Sequence, residues 1–481
     1  MLKKIKVVSL LSCLAFTLQA CHEEDDASSI ANAPQQLINI NTAVYSAIRQ
    51  NPDANTLFAN TGAANVGDEP CDVKIHRMAY DTVGSAGEAA TSSGVFMLPH
   101  GDDPRCSGAL PVVLHAHGTA DEKNYDLSQF IGDPTNAAAK EAGLLLATYA
   151  AQGYAVIAPN FAGYADSSLS YHPYIDRKQQ SAEMMHALDH VREHADILGA
   201  NLSSELIVSG VSAGAYASMA THQALETSGE KVTASVNISG PYAMLDYIDT
   251  IAAGYVNLFA PALFPLYSTA LDKGADIYDD PSELYAEAYA DIAETALPTI
   301  GGFASTALPQ SAIWSGSPPT DANPVNALGF GDDHLLSDAF RANYLADLQA
   351  NPTDPVYKVR AEIKKADLRD WQPQAPVFMC GAGTDPVVFH RNSDLMAEYW
   401  ADLVTAGRVS NLDLTDAPAG PFTGAMLAFQ DAMAMLVSQD PKLATEVLHS
   451  TISPYCALAG LGYISRIRSQ QDSEQLEVSA N

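Results

Sequence analysis

From Cys71 onward, short apolar runs of strand composition alternate with helix-like segments, and this order limits the fold more than any other feature. "DVKIHRMAYDTV" and "SSGVFMLP" flank the turn-rich "GSAGE" and read as an antiparallel opening pair. "ALPVVLHAHG" reads as a buried strand that ends in a glycine loop. Asn136 to Ala151 reads as a helix that stops at Gly153, ahead of the strand "YAVIAPN". In "SAEMMHALDHVREHA", Met185, Leu188 and Val191 recur at helical spacing. The strand "ELIVSG", a helix of small residues after Ser212 and the strand "VTASVNISG" follow. Strands that alternate with helices bury a mostly parallel sheet under helices on both faces, so the expected class is α/β.

Between Pro241 and about Asp370 the rhythm breaks. "YIDTIAAGYVNLFAPALFPLYSTAL" and "PSELYAEAYADIAETAL" are helical and aromatic-rich, with prolines and glycines between, and predict a helical cap or lid inserted over 241–370. Its aromatics, such as Phe259, Phe264 and Tyr267, suit a hydrophobic substrate, and they would equally form the core of a small cap. The alternation resumes with "APVFMCG", a helix over "SDLMAEYWADLVTAG" and the strand "VSNLDLTDA", so the α/β core is expected over 41–240 and 371–481. At the start of the chain Lys3, Lys4 and Lys6 precede the apolar run Val7 to Leu18, a secretory signal over 1–20. Its end, "LQAC", resembles a bacterial lipobox, which makes Cys21 the first mature residue and a lipid-modified anchor. Gln19 is bulkier than that pattern usually has, and plain signal cleavage is the alternative. The polar "HEEDDASSIANAPQQ" has no helical periodicity and reads as a tether over 21–40.

A formal charge of -32 argues against nucleic acid, which needs a basic surface, and otherwise speaks to solubility. Of six cysteines, Cys13 lies in the signal and Cys21 is the expected anchor. Cys71, Cys106, Cys380 and Cys456 remain for an oxidising compartment, and the sequence leaves their three pairings open. The chain has neither C-x-x-C nor H-E-x-x-H spacing, so no metal is expected. No other cofactor is implied.

In "GVSAG", Gly210 to Gly214, the serine follows a predicted strand and opens a helix. Small residues there would also let a helix pack closely. A sharp strand-to-helix turn, however, lifts a serine hydroxyl out of the sheet and needs glycines on both sides, the nucleophile elbow. With "HAHGT", "GYAVIAPNFAGY", "YHPY" and "GTDPVV" in this order, the chain from about Cys71 to Ile467 resembles the α/β-hydrolase superfamily. The likeness is to its secreted lipase and esterase branch with a helical lid. Val211 and Ala213 depart from that branch, where a histidine or tyrosine and a glutamine or methionine more often flank the serine.

A serine hydroxyl is a weak nucleophile until a histidine takes its proton, and a carboxylate must hold that histidine's tautomer. The resemblance implies the chain order serine, acid, histidine. Asp385 in "GAGTDPVV" is the candidate acid, its simpler role being to cap the helix that follows. His222, His334, His390 and His449 are the histidines beyond Ser212. His222 and His334 read as packing or surface residues, and His390 is five residues past the acid. The resemblance implies a histidine on a loop after the last strand, which selects His449. On that reading a Cys380–Cys456 bridge would fasten the histidine beside the acid. Cys71 and Cys106, which bracket the opening strand pair, would form the second. Oxyanion donors would be the N–H of Ala213, by motif, and of Thr119, by resemblance, after a tight turn at Gly118. His115 and His117 are expected to shape that loop by buried hydrogen bonds.

The expectation is an exported, lipid-anchored serine hydrolase that acts on small-molecule or lipid esters and meets the membrane through its anchor. The rivals are a peptidase on the same fold and a non-catalytic binding module. Oligomeric state and ester identity stay open.

Overall fold

The computed structural model describes residues 32–41 and 70–480, apart from Ile131, Gly132 and Pro134. The expected signal and Cys21 lie outside the described residues. The strands are β1 Gln35–Ile40, β2 Asp72–Val83, β3 Ala89–His100, β4 Leu110–Ala116, β5 Ala155–Pro159, β6 Leu202–Val211, β7 Ala234–Ile238, β8 Val377–Gly381 and β9 Val409–Asp413. They form one sheet in the order β1-β2-β3-β5-β4-β6-β7-β8-β9. From β5 to β9 every pairing is parallel, and β3 runs antiparallel between β2 and β5. Every residue of β4, β5, β7 and β8 is buried, as strands covered on both faces require.

Helices of eight residues or more are α1 Ala139–Thr148, α2 Arg177–Glu193, α3 Ala213–Ser228, α4 Met244–Ala253, α5 Ala260–Ala275, α6 Asp338–Ala350, α7 Lys358–Lys365, α8 Arg391–Tyr399, α9 Thr423–Gln439 and α10 Pro441–Ala480. Helix α10 lies so tightly on the sheet that a Cβ at Gly460 would press into Val236 of β7. Two disulfides staple the core, Cys71–Cys106 with Cα atoms 5.4 Å apart and Cys380–Cys456 at 5.7 Å. The second joins the end of β8 to α10.

Two expectations need correction. Gln35–Ile40, read as the end of a tether, is the edge strand β1, paired with β2 from Gln35 opposite Arg77 to Ile40 opposite Val73. Five of its six residues are exposed, so it lacks the apolar signature of the inner strands. His449, expected on a loop, lies in α10.

The insertion between β7 and β8 contains α4 to α7. "PSELYAEAYADIAETAL" does not form the helix its composition favours: it holds short 3-10 turns at Pro281–Glu283 and Ala293–Thr295. Its backbone bonds across the cap instead, Ala286 N–H to Leu335 O at 2.9 Å and Ser337 N–H to Leu284 O at 2.9 Å. Long-range partners here outweigh local propensity. Fully buried Arg360 on α7 ties the cap together, donating to Asp249 of α4 at 2.7 Å and Asp347 of α6 at 3.2 Å. It also reaches the carbonyls of Asn351 and Pro352, so its charge is paired and its donors are used.

Candidate active site

Ser212 sits where β6 turns into α3, with φ 56° and ψ -123°. A positive φ is costly for a residue with a side chain and persists where the surroundings impose it. Here the Ser212 N–H donates to Ile238 O of β7 at 2.7 Å. The glycines have steric reasons: a Cβ at Gly210 would collide with the carbonyl of Gly214, and one at Gly214 with the carbonyls of Ala116 and His117. The elbow is thus wedged against the end of β4.

Three residues distant in the chain meet at this end of the sheet. Ser212 Oγ lies 2.9 Å from His449 Nε2, and His449 Nδ1 lies 2.7 Å from Asp385 Oδ2. The other oxygen of Asp385 accepts from the N–H of Val387 at 2.9 Å and of Val388 at 3.3 Å. The carboxylate therefore ties its own loop and contacts the imidazole as well, and it does not cap the helix that follows, whose N-cap is His390. Its side chain is 1% exposed and that of His449 15%.

The other histidines are engaged elsewhere. His390 lies over Gly381 with Nε2 3.6 Å from Asp394 Oδ1, and His222 is fixed between Ser235 at 3.0 Å and Glu226 at 2.9 Å. His334 contacts the carbonyl of Asp332 at 2.9 Å.

Ala213 is the first residue of α3, so the helix offers no carbonyl to its N–H. Gly118 lies beside the serine: a Cβ there would be 3.8 Å from Ser212 Cβ. Thr119 Oγ1 is 2.6 Å from the hydroxyl of Tyr174, the last residue of "YHPY", whose phenol burial pushes up to about 12. His117 Nδ1 is 2.6 Å from Gly118 O and its Nε2 2.9 Å from Asn160 O. Its ring stacks on Tyr125 at 4.4 Å. In the same motif as Tyr174, His172 contacts Ala162 O at 2.8 Å, and burial lowers its pKa to about 3.

Sequence reasoning missed Glu141. This carboxylate of α1 reaches behind the loop to the Gly118 N–H at 3.2 Å, His115 Nε2 at 3.0 Å and the Tyr125 hydroxyl at 3.1 Å. A lone acid in the first turn of a helix reads as a partner for the helix dipole, and nothing in the local pattern marks it further.

Above Ser212 and Ala213 opens a cleft walled by apolar cap residues including Met244, Ile248, Leu263 and Phe264. Tyr267 also lines it, whereas Phe259 is not among the lining residues and is 51% exposed. The cap is fastened to the acid loop by Tyr247 Oη to Val387 O at 2.5 Å and Leu258 N–H to Pro386 O at 2.8 Å.

No protein-family model and no curated protein matches the sequence. Solved structures do match. The rice cell wall degrading esterase LipA from Xanthomonas oryzae aligns with TM-score 0.65 and 22% identity over 85% of this chain and 97% of that one. An inferred hydrolase from Legionella pneumophila aligns with TM-score 0.65 and 17% identity over 91% of this chain and 98% of that one. At such identities the likeness speaks to architecture. With its sheet order, the helical insertion after β7 and these neighbours, the chain has the α/β-hydrolase fold.

Proposed function

We propose that the protein is an exported serine hydrolase that cleaves carboxylic esters through an acyl-enzyme intermediate. The observation that carries this reading is the unbroken hydrogen-bonded path from Ser212 Oγ through His449 to Asp385, at 2.9 and 2.7 Å. Ser212 Oγ attacks the ester carbonyl while its proton passes to His449 Nε2, and Asp385 holds Nδ1 protonated and stabilises the imidazolium. The N–H groups of Ala213 and Thr119 take the developing oxyanion. Collapse breaks the bond to the alcohol, which leaves with the proton from His449. Water repeats the cycle on the acyl-enzyme and frees the acid. Preorganised donors of this kind are worth about 3–4 kcal/mol each.

Ester cleavage is favoured over aminopeptidase action by the cleft, whose described lining residues include no Asp or Glu to receive a free amino terminus. Its apolar cap wall suits an acyl chain or another hydrophobic ester. Two disulfides fit an oxidising compartment, and Cys21 would carry the lipid that holds the enzyme at the membrane. A panel of nitrophenyl esters of increasing acyl length, run beside aminoacyl nitroanilides, tests the activity. Ester turnover that rises with chain length is expected, and nitroanilide cleavage without ester cleavage would overturn the reading. Cys21→Ser should move active protein out of the membrane fraction or block its maturation, whereas wild-type protein that is soluble with unmodified Cys21 would refute the anchor.

A further inference from the structure

Ester hydrolysis by Ser212 needs the Thr119 N–H aimed at the substrate oxygen, yet the loop that carries it follows a glycine, the least restrained residue type. The surroundings supply the restraint. The Gly118 N–H donates to the Glu141 carboxylate, 3.2 Å from each oxygen, and Gly118 O lies 2.6 Å from His117 Nδ1. That carbonyl belongs to the same peptide unit as the Thr119 N–H. In a trans peptide the two point in opposite directions, so holding the carbonyl aims the N–H. Next along, Thr119 Oγ1 is tied to Tyr174 at 2.6 Å.

We propose that Glu141 is a positioning residue for the oxyanion site, anchoring Gly118 so that the Thr119 N–H faces the reacting carbonyl. This rests on the reading of Ser212 as nucleophile. Glu141 is suited to the task because three donors converge on its two oxygens: the Gly118 N–H, His115 at 3.0 Å and Tyr125 at 3.1 Å. The far nitrogen of His115 meets Ser209 Oγ of β6 at 3.3 Å, three residues before the serine, so one network joins the loop, α1 and the nucleophile's strand. Burial works against the charge, but the hydrogen bonds from His115 and the Gly118 N–H help to hold the carboxyl below its ordinary value. An anion matters here, since all three partners donate. Glutamine would turn an N–H2 group toward at least one of them and leave donors face to face.

The test is Glu141→Gln, assayed on acetyl and long-chain nitrophenyl esters and titrated with a fluorophosphonate. We expect kcat per titrated site to fall about 10–100-fold, less than the full loss of an oxyanion donor, with KM within about twofold and the same factor for both esters. The probe should still reach one adduct per chain, more slowly. A merely structural role would lower the titratable fraction and leave kcat per site unchanged, and that result would overturn the proposal. So would a loss that grows with acyl length. If Glu141→Gln does not fold, Tyr125→Phe removes one hydrogen bond and keeps the charge. It should lower kcat about twofold to fivefold at constant KM, and wild-type kcat would count against the clamp. Ser212→Ala run in parallel separates the failures. Turnover that survives Ser212→Ala refutes the reaction itself, whereas an inactive Ser212→Ala beside a fully active Glu141→Gln refutes the positioning role alone.

Discussion

The strand ends of the sheet and the cap above them are built on different principles. At the strand ends, Ser212 keeps a positive φ, Gly210 and Gly214 leave no room for a Cβ, and Asp385 uses both oxygens. Backbone atoms and short hydrogen bonds set every position. In the cap the side chains that face the cleft are mostly apolar, and the ionic cluster around Arg360 is buried among the cap's own helices. Apolar packing is non-directional and tolerates exchange of similar volumes, whereas hydrogen-bond geometry does not. The strand ends should therefore answer to single atoms and the cap to volume and area.

The largest effect expected from this contrast is at the histidines. His449→Ala should lower kcat by about 10⁴-fold or more, while His390→Ala, outside the relay, leaves it within about threefold. An inactive but folded His390→Ala would break the assignment. Next is Gly214→Ala, a single methyl group that must push the carbonyls of Ala116 and His117 aside. It should cost about 1–3 kcal/mol in chemical denaturation and about 100-fold in kcat, because the same backbone shapes the oxyanion site. Wild-type kcat in that variant would mean the elbow is looser than drawn. The smallest effect belongs to the cap. Phe264→Ala should lower kcat/KM for long-chain esters by about 10–100-fold, in line with the roughly 1.5–3 kcal/mol of a buried aromatic, and leave acetyl esters within about twofold. Equal losses on both would assign Phe264 to the fold instead.

The same contrast explains what could be read from the chain. Inner strands such as "LPVVLHA" announce themselves because burial on both faces demands continuous apolar residues. "GVSAG" is legible because close approach leaves glycine as the fitting residue at both ends. Cys380 and Cys456, expected to pair, do so, although the bridge runs from a strand to a helix. Where a contact is made through space by a residue with an ordinary local role, the sequence is silent. Glu141 sits in the first turn of α1 like any helix-starting acid, and β1 is an exposed edge strand. The sequence puts His449 after the last strand, but its position on α10 depends on how that helix packs on β7 and β8, which the local sequence does not encode. In the cap, Phe264 and Phe259 look alike in sequence, and the tertiary fold alone turns the first toward the cleft and leaves the second half exposed.

The most direct test of the central claim is covalent capture of the nucleophile. Purified protein incubated with a fluorophosphonate, digested and mapped by mass spectrometry should yield one adduct, on the peptide that contains Ser212, with ester turnover lost in step with labelling. Ser212→Ala should be unlabelled and inactive while unfolding at the wild-type temperature, because the change removes a hydroxyl and adds no bulk. An adduct on another serine, or ester turnover that survives in Ser212→Ala, would contradict the account.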